Sequence, residues 1–449
     1  MAIPFGAGGT MTEIAILGAG MAGLGAAHRL GAEGVGTAIF EKHAFHGGHA
    51  SSFAHPTGFV FDDGPHISFT KSDRVRELFA QGVDGEYLES PTRVDNYWRG
   101  HRIKHPAQCN LYGLPEDLVV RVLVDFIAAT QQDHPEPKDY REWLIATYGK
   151  TFAETFPMQY GRKYHTAAAE EMTTDWLGPR LYRPELEEVL RGALAPSTPD
   201  VHYVSQFRYP KRGGFVSFLE RFAATSELRL GCCVVGVDTG SRTMRFADDS
   251  EVDYGHLVSS LPLPEIVKLV VDVPDDVQAA AERLACTECI VVNVGVDRED
   301  LSDCHWTYFY DRDVVFTRVN YPHLLSPNNV PAGSGSVQAE VYYSRKYLPR
   351  TEEPEALIEP VIADLKRCSV LSDDDTILHT NATLVRYANV IFDHDRTAAL
   401  DRVRGFLADV GVETCGRYGE WGYHWTDESF TSGEDAAQRV LDRIGSPVS

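Results

Sequence analysis

Residues 14–25 read IAILGAGMAGLG. Four apolar residues, Ile14–Leu17, run directly into a cluster of glycines. An apolar run of that length bounded by glycine reads as a buried parallel strand, and the helical spacing of Leu24–Leu30 reads as the helix that follows it. Between them, Gly18, Gly20 and Gly23 fit the spacing G-x-G-x-x-G. Gly18 permits a tight turn, Gly20 lets a pyrophosphate come close to the backbone, and Gly23 lets helix and strand pack closely. The free N–H groups and positive dipole end of the helix, at Met21 and Ala22, then face the phosphates.

Working outward, a second strand signal, GTAIFEK (36–42), ends in Glu41 and Lys42. A carboxylate about 20 residues after the glycines is placed to grip ribose hydroxyls. The next stretch, EKHAFHGGHASSF (41–53), adds a second glycine pair, Gly47-Gly48, followed by His49. A nicotinamide domain has no need of that pair; a flavin domain does, because its second loop covers the same pyrophosphate. Near the other end, GRYGEWGYHWTDESFTSGEDAAQRVL (416–441) places Gly416 and Arg417 after a short strand-like segment. Tyr423 is expected to line the flavin pocket. Ser432-Gly433 is expected to open a helix whose N-terminus stabilises a reduced, negatively charged ring. Two further strand signals, ELRLGCCVVGVD (227–238), with Val235 as a cofactor contact, and HLVSSLPLPEIVKL (256–269), belong to the same domain.

The fold class expected is α/β: a discontinuous, Rossmann-like FAD-binding domain with an antiparallel β-sheet substrate domain and a helical cap. Its boundaries are 11–71, 205–275 and 397–449 for the FAD domain, 72–204 for the helical cap, and 276–396 for the sheet. Helical patterns separated by Pro and Gly mark the cap, and alternating apolar and polar residues mark the sheet. The substrate is expected where the three meet, since ligands favour domain junctions.

The net charge of −23 excludes a general nucleic-acid binder and a protein of anionic membrane surfaces. A hydrophobic fraction of 43% over 449 residues supports a sizeable core in two or three domains. The eight cysteines are scattered through a chain in which no signal peptide is recognised, which points to reduced thiols and a cytoplasmic location. Cys286 and Cys289 form a single C-x-x-C with no second pair, so strand-edge cysteines are expected rather than zinc, and no metal site. No apolar run reaches about 18 residues, so no membrane span is expected. Residues 1–10 read as a small, flexible lead, with Met11 as the natural start.

With these motifs in place, the chain resembles the flavin amine-oxidase superfamily, and within it the UDP-galactopyranose mutases and mutase-like FAD enzymes. FDDGPHIS (61–68) is similar to the mutase segment laid against the flavin, with His66 as its first histidine and Phe69 where the second would stand. WRGHRIKHPAQCNLYGLP (98–115) looks like the mutase Gly turn followed by Q-x-N-L. FPMQYGRKYHTAAAEEM (156–172) is similar to a mutase helix, with Phe156, Tyr160 and Lys163 matching and His165 replacing a tryptophan. TDWLGPR ends in Arg180, VVFTRVNYP contains Arg318, and VRYANVIFDHD keeps Tyr387 but carries Asn389 in place of a proline.

The resemblance implies a sugar-nucleotide pyranose/furanose mutase-like enzyme in which reduced flavin N5 is the nucleophile at the anomeric carbon. It implies a nucleoside-diphosphate sugar as substrate and an external electron donor such as NAD(P)H. Catalytic roles fall on His66, Arg180 and Arg318, and substrate contacts on Phe156, Tyr160, Lys163, Arg180, Arg318 and Tyr387. Arginine suits a diphosphate because its planar fork donates paired hydrogen bonds and stays charged. A homodimer is compatible with the sequence. Two alternatives stay open. One is an oxidase or dehydrogenase of the amine-oxidase or protoporphyrinogen-oxidase type, passing hydride to the flavin. The other is a flavin-free binding protein of the same fold.

Overall fold

The strand Met11–Leu17 lies inside the first of two seven-stranded sheets. In the computed structural model, which describes residues 11–178, 181–196 and 204–445, it pairs in parallel with Thr37–Glu41 on one side and Glu251–Ser259 on the other. Ile14 and Ile16 enter one core while Ala15 and Leu17 enter another. That alternation is what a strand buried on both faces must show. Leu228–Leu230 extends the sheet beyond Thr37–Glu41, and Val412–Thr414 joins Glu251–Ser259, both in parallel. The antiparallel strands Val234–Asp238 and Thr243–Phe246 complete it. This sheet therefore draws on the start, the middle and the end of the chain.

One of its faces carries two helices, Met21–Ala32 and Thr426–Gly445, which cross in close contact. The second helix corrects an expectation. It starts at Thr426, not at Ser432-Gly433, and Ser432 sits in its second turn. Glu428 accepts the Trp425 N–H at 2.8 Å, and Asp427 and Glu428 occupy the first turn, where acids are favoured. Gly433 is a crossing point: a Cβ there would lie 1.9 Å from the Ala22 carbonyl oxygen. A glycine inside a helical pattern can thus mark close packing rather than a boundary.

The second sheet runs in the order Ile377–Val385, Thr287–Val296, Gly335–Ser344, Arg318–Asn320, Trp306–Phe309, Val94–Trp98, His101–Lys104. It is antiparallel except where Trp306–Phe309 meets Val94–Trp98 in parallel. Its last two strands come from the stretch expected to be a helical cap. One face, including Ile290, Val292, Val337 and Ala339, is covered by the helix Ile358–Arg367. The other, with Cys289, Val291 and Tyr342, lines a cavity.

Helices Glu116–Thr130, Tyr140–Tyr148, Lys150–Thr155, Pro157–Tyr164 and Leu186–Leu194 form a third group, of which Tyr140–Tyr148, Lys150–Thr155 and Pro157–Tyr164 supply residues to the cavity wall. Asp139 caps the second by accepting the Glu142 N–H at 2.8 Å, and Pro157 occupies the first position of the fourth. No helix among the described residues is long and apolar enough to cross a membrane. Residues 1–10 lie outside the described residues.

Candidate active site

A cavity of about 2380 Å³ extends from the glycine loops to the second sheet. At the first end the two loops lie backbone to backbone. Gly47 N donates to Ala19 O at 2.8 Å, and a Cβ on Gly48 would come within 3.1 Å of Gly20 Cα. Gly18 turns at φ +93°, and a Cβ on Gly23 would lie 1.9 Å from the Gly18 oxygen. Gly23 therefore sits behind the wall, packing helix on strand, while Gly18, Gly20, Met21, Ala22, Lys42, Gly47, Gly48 and His49 line it.

The helix Met21–Ala32 has no side-chain cap and no acid in its first turn. Its first N–H groups and positive end are left to an anion from the cavity. Glu41 is buried on the wall, with Oε2 accepting from Ala19 N at 3.0 Å and Oε1 from His43 N at 2.9 Å. Each oxygen keeps a lone pair for a hydroxyl. These residues fit a dinucleotide: bare backbone and an uncapped helix for the pyrophosphate, and a fixed carboxylate for a ribose.

Asp62 supports this end from behind. It accepts from Ser52 Oγ at 2.6 Å, Tyr209 OH at 2.8 Å and Phe215 N at 3.0 Å, tying three segments together. Burial pushes its carboxyl up to about 6.

In the middle of the cavity stand His66, Tyr164, Arg417 and Tyr423. His66 Nδ1 lies 2.7 Å from Gly64 O, and burial pushes the ring down to about 4, so it is neutral near pH 7. Arg417 Nη2 donates to Asn389 Oδ1 at 2.9 Å, and Tyr164 OH donates to the same oxygen at 3.1 Å. Because the Tyr164 proton goes to Asn389, Tyr423 OH, 2.8 Å away, donates to Tyr164. Arg417 also lies 4.5 Å from the Tyr423 ring centroid, and its buried Nε has no hydrogen-bond partner among the described residues.

At the far end Arg318 and Glu340 share two hydrogen bonds, at 2.6 and 2.8 Å, on the cavity wall. Tyr160, Tyr308 and Tyr342 surround them on that wall, and burial raises all three phenols above their ordinary range. Tyr387 also lines the cavity and donates to Glu265 at 2.5 Å.

Besides Gly23, four expected contacts are placed elsewhere. Phe156 is fully buried behind the wall, against Trp98, Phe152 and Tyr310. Lys163 turns away: its Nζ donates to the carbonyls of Phe309, Asp311 and Phe316 at 3.2, 2.9 and 2.5 Å. A buried ammonium needs such acceptors, and desolvation pushes this one down to about 7. Val235 faces outward, 41% exposed, and Val234 takes its place on the wall. Ser432 is off the wall, but its Oγ accepts from Gly416 N at 2.8 Å and so holds Gly416, which is on it. Arg180 lies outside the described residues.

Glu340 was missed by sequence reasoning. The alternation of SVQAEVYYS does carry a signal, since it sets Gln338, Glu340 and Tyr342 on one face of an otherwise apolar strand. Tyr164 sits beside matched residues, but nothing local links it to Asn389, 225 positions on.

With this geometry in view, comparison with known proteins gives three findings. Residues 21–441 match the family described as flavin containing amine oxidoreductase. A reduced UDP-galactopyranose mutase has a similar fold at TM-score 0.91 and 24% identity, over 97% of this chain and 96% of that one. A candidate protoporphyrinogen oxidase from Exiguobacterium sp. 255-15 (TM-score 0.74, 16% identity, 98% and 100% covered) and a putrescine oxidase variant (TM-score 0.64, 16% identity, 97% and 100% covered) share it less closely.

Proposed function

The chain belongs to the flavin-containing amine oxidoreductase family, and from that premise we propose that it is an FAD-dependent isomerase of nucleoside-diphosphate sugars, acting in pyranose–furanose exchange. The observation that carries this reading is Arg318. Its Nε and Nη2 are held by Glu340, and the Tyr308 hydroxyl lies beside the same guanidinium, so a permanently charged fork is fixed on the cavity wall. That fork suits a phosphate oxygen. The charge stands at one end of a cavity whose other end is the dinucleotide cradle, and the volume between is walled by phenols.

FAD bound at the glycine loops and kept reduced by an external donor such as NAD(P)H would supply the nucleophilic nitrogen at the anomeric carbon. The protein's own residues bind and orient. Gly18, Gly20, Gly47, Gly48 and Glu41 hold the cofactor. Arg318 binds the diphosphate and stabilises its charge as it leaves. Tyr160, Tyr308 and Tyr342 stay protonated because burial disfavours phenolate, so they serve as neutral donors to sugar hydroxyls. His66, neutral and oriented by Gly64, borders the cofactor end without adding charge. The aromatic wall excludes water from the displaced centre.

A second reading has its own support. Glu340 cancels the charge of Arg318, so this end of the wall is close to neutral and strongly aromatic. Such a site also suits an uncharged substrate oxidised by hydride transfer. One experiment separates the two. The flavoprotein is reduced anaerobically, given UDP-galactose, UDP-glucose, GDP-mannose or dTDP-glucose, and its products are resolved by chromatography. Isomerised sugar with no net flavin oxidation supports the proposal. No isomerisation with any of the four overturns it for these substrates, and bleaching of oxidised enzyme by an added amine or alcohol favours oxidation.

A further inference from the structure

Lys163 brings a charge into the protein and spends it entirely on backbone. An ammonium has three N–H donors and no acceptor. Those of Lys163 go to the carbonyls of Phe309, Asp311 and Phe316. Burying a cation costs hydration that an apolar side chain does not lose. What the cation adds is a fixed distance between the helix that carries it and the chain segment that receives it.

Both of those elements end on the cavity wall. The helix Pro157–Tyr164 carries Tyr160 one turn before Lys163, and Tyr160 lines the cavity. The receiving segment is the connection between the antiparallel strands Trp306–Phe309 and Arg318–Asn320, in which Tyr308 stands opposite Arg318. Phe309 closes the first strand, and Phe316 lies two residues before Arg318, so the ammonium bridges the two sides of the hairpin just behind these residues. The Tyr160 ring meets those of Tyr308 and Tyr310 edge-on, at 5.4 and 6.1 Å between centroids. Glu340 fixes Arg318 against the neighbouring strand but makes no such tie to the helix.

We propose that Lys163 is a positioning residue: acting through this hairpin, it sets the gap between Tyr160 and the Arg318 guanidinium, in which the diphosphate end of the substrate is received. The assignment rests on the nucleotide-sugar reading above. The groups that face the ammonium are Asp311, Asp313, Asp364 and the Cys368 thiol. The three acids have other partners: Asp311 accepts from Arg99 N, Asp364 from Val315 N, and Arg367 pairs with Asp313 and Asp364. Desolvation outweighs them and lowers Lys163 to about 7, so the cation, and the clamp with it, is lost as pH rises through neutrality. The effect on folding has the opposite sign. The unfolded chain holds this proton up to the ordinary lysine value, so the stability contributed by this group rises as pH increases from about 7. A loss of binding over that range is therefore not a loss of fold caused by this group.

The test uses the flavin-loaded protein. Dissociation constants for UDP-galactose, UDP-glucose, GDP-mannose and dTDP-glucose are measured between about pH 6 and about pH 8.5, a range over which their diphosphates keep their charge, with wild type, Lys163→Met and Lys163→Arg. The tightest ligand is expected to bind wild type about fivefold or more weakly at the upper pH. Lys163→Met is expected to bind it that weakly already at the lower pH, with no further fall. Lys163→Arg carries a charge that is not lost in this range, so its affinity is expected not to change with pH. A wild-type affinity that does not fall with pH, or a wild-type slope retained in Lys163→Met, overturns the assignment and leaves the nucleotide-sugar reading standing. If Lys163→Met does not fold, a wild-type slope in Lys163→Arg overturns it equally. Failure of wild type to bind any of the four at either pH overturns that reading, and the assignment with it.

Discussion

Arg318 and Glu340 face each other across adjacent strands in direct register, and their side chains are 22% and 4% exposed. The carboxylate is the more deeply buried partner, so it depends on the guanidinium more than the reverse. Removing one partner of a buried pair leaves an uncompensated charge, at about 3–5 kcal/mol. Arg318→Ala is therefore expected to lower folding stability by a few kcal/mol as well as weakening diphosphate binding. Arg318→Met with Glu340→Gln is expected to recover most of the stability and none of the binding. Urea titration and UDP binding on both variants check this. A double variant as unstable as the single one would show that the pair's electrostatics are not what holds this part of the sheet.

Glu41 accepts one N–H from each of two loops and keeps lone pairs toward the cavity. Glu41→Ala removes both anchors and the carboxylate proposed to hold the ribose together, whereas Glu41→Gln keeps a single neutral acceptor. Hydrogen bonds to charged groups contribute about 1.5–3 kcal/mol, which is roughly tenfold to hundredfold in affinity. Flavin affinity is expected to fall by that factor or more in Glu41→Ala, giving nearly colourless protein, with Glu41→Gln intermediate. Flavin absorbance per protein after gel filtration measures it. Full occupancy in Glu41→Ala would exclude Glu41 from the ribose contact.

Acid is expected to destabilise the fold, and the sign follows from four buried groups. Burial holds His165 at about 3 and His66 and His305 at about 4, well below the ordinary histidine value, so the unfolded chain binds their protons first as pH falls. All three therefore cost stability between the ordinary histidine value and their folded values. Asp62 opposes them: its raised value of about 6 lets the folded state take a proton first, which adds stability below that pH. Three histidines against one acid leave a net loss of about 2.5 kcal/mol per pH unit around pH 5 from these groups. His165→Phe removes one histidine and is expected to flatten this contribution. Urea midpoints at several pH values, in wild type and variant, give the slopes; an unchanged slope would contradict the neutral, buried assignment.

The parts of this molecule that were legible in its sequence are those where local chemistry repeats a constraint. Gly18, Gly20, Gly47, Gly48 and Glu41 form such a set: the glycines are where the two loops turn or lie backbone to backbone, and Glu41 accepts from Ala19 N and His43 N beside them. What could not be read depends on distant partners. Lys163 looks like a ligand contact until the carbonyls of Phe309, Asp311 and Phe316, about 150 residues away, claim its ammonium. The strands Val94–Trp98 and His101–Lys104 lie in a stretch rich in helix signals, and only their pairing with Trp306–Phe309 places them in the second sheet. Glu340 alternates correctly, but nothing within its strand says that Arg318 waits opposite.

Gly433 is the sharpest case, because its meaning lies wholly in the partner helix. A Cβ there would sit 1.9 Å from the Ala22 oxygen, and a Cβ on Gly25 would sit 2.1 Å from the Phe430 oxygen. Both obstacles are backbone, so neither can swing aside. Gly433→Ala must separate the two helices, at about 1–3 kcal/mol for overpacking, set against a helix-propensity gain of up to about 1 kcal/mol. Ala22 belongs to the turn that faces the cofactor end of the cavity, so the same displacement is expected to weaken flavin retention. Gly405 is the control: it lies in the helix Arg396–Asp409, and a Cβ there meets nothing within 4 Å. Gly405→Ala is expected to stabilise by about 0.5–1 kcal/mol and leave the flavin untouched. Thermal melts and flavin absorbance on the two variants decide it, and a Gly433→Ala protein as stable and as yellow as wild type would refute the close crossing.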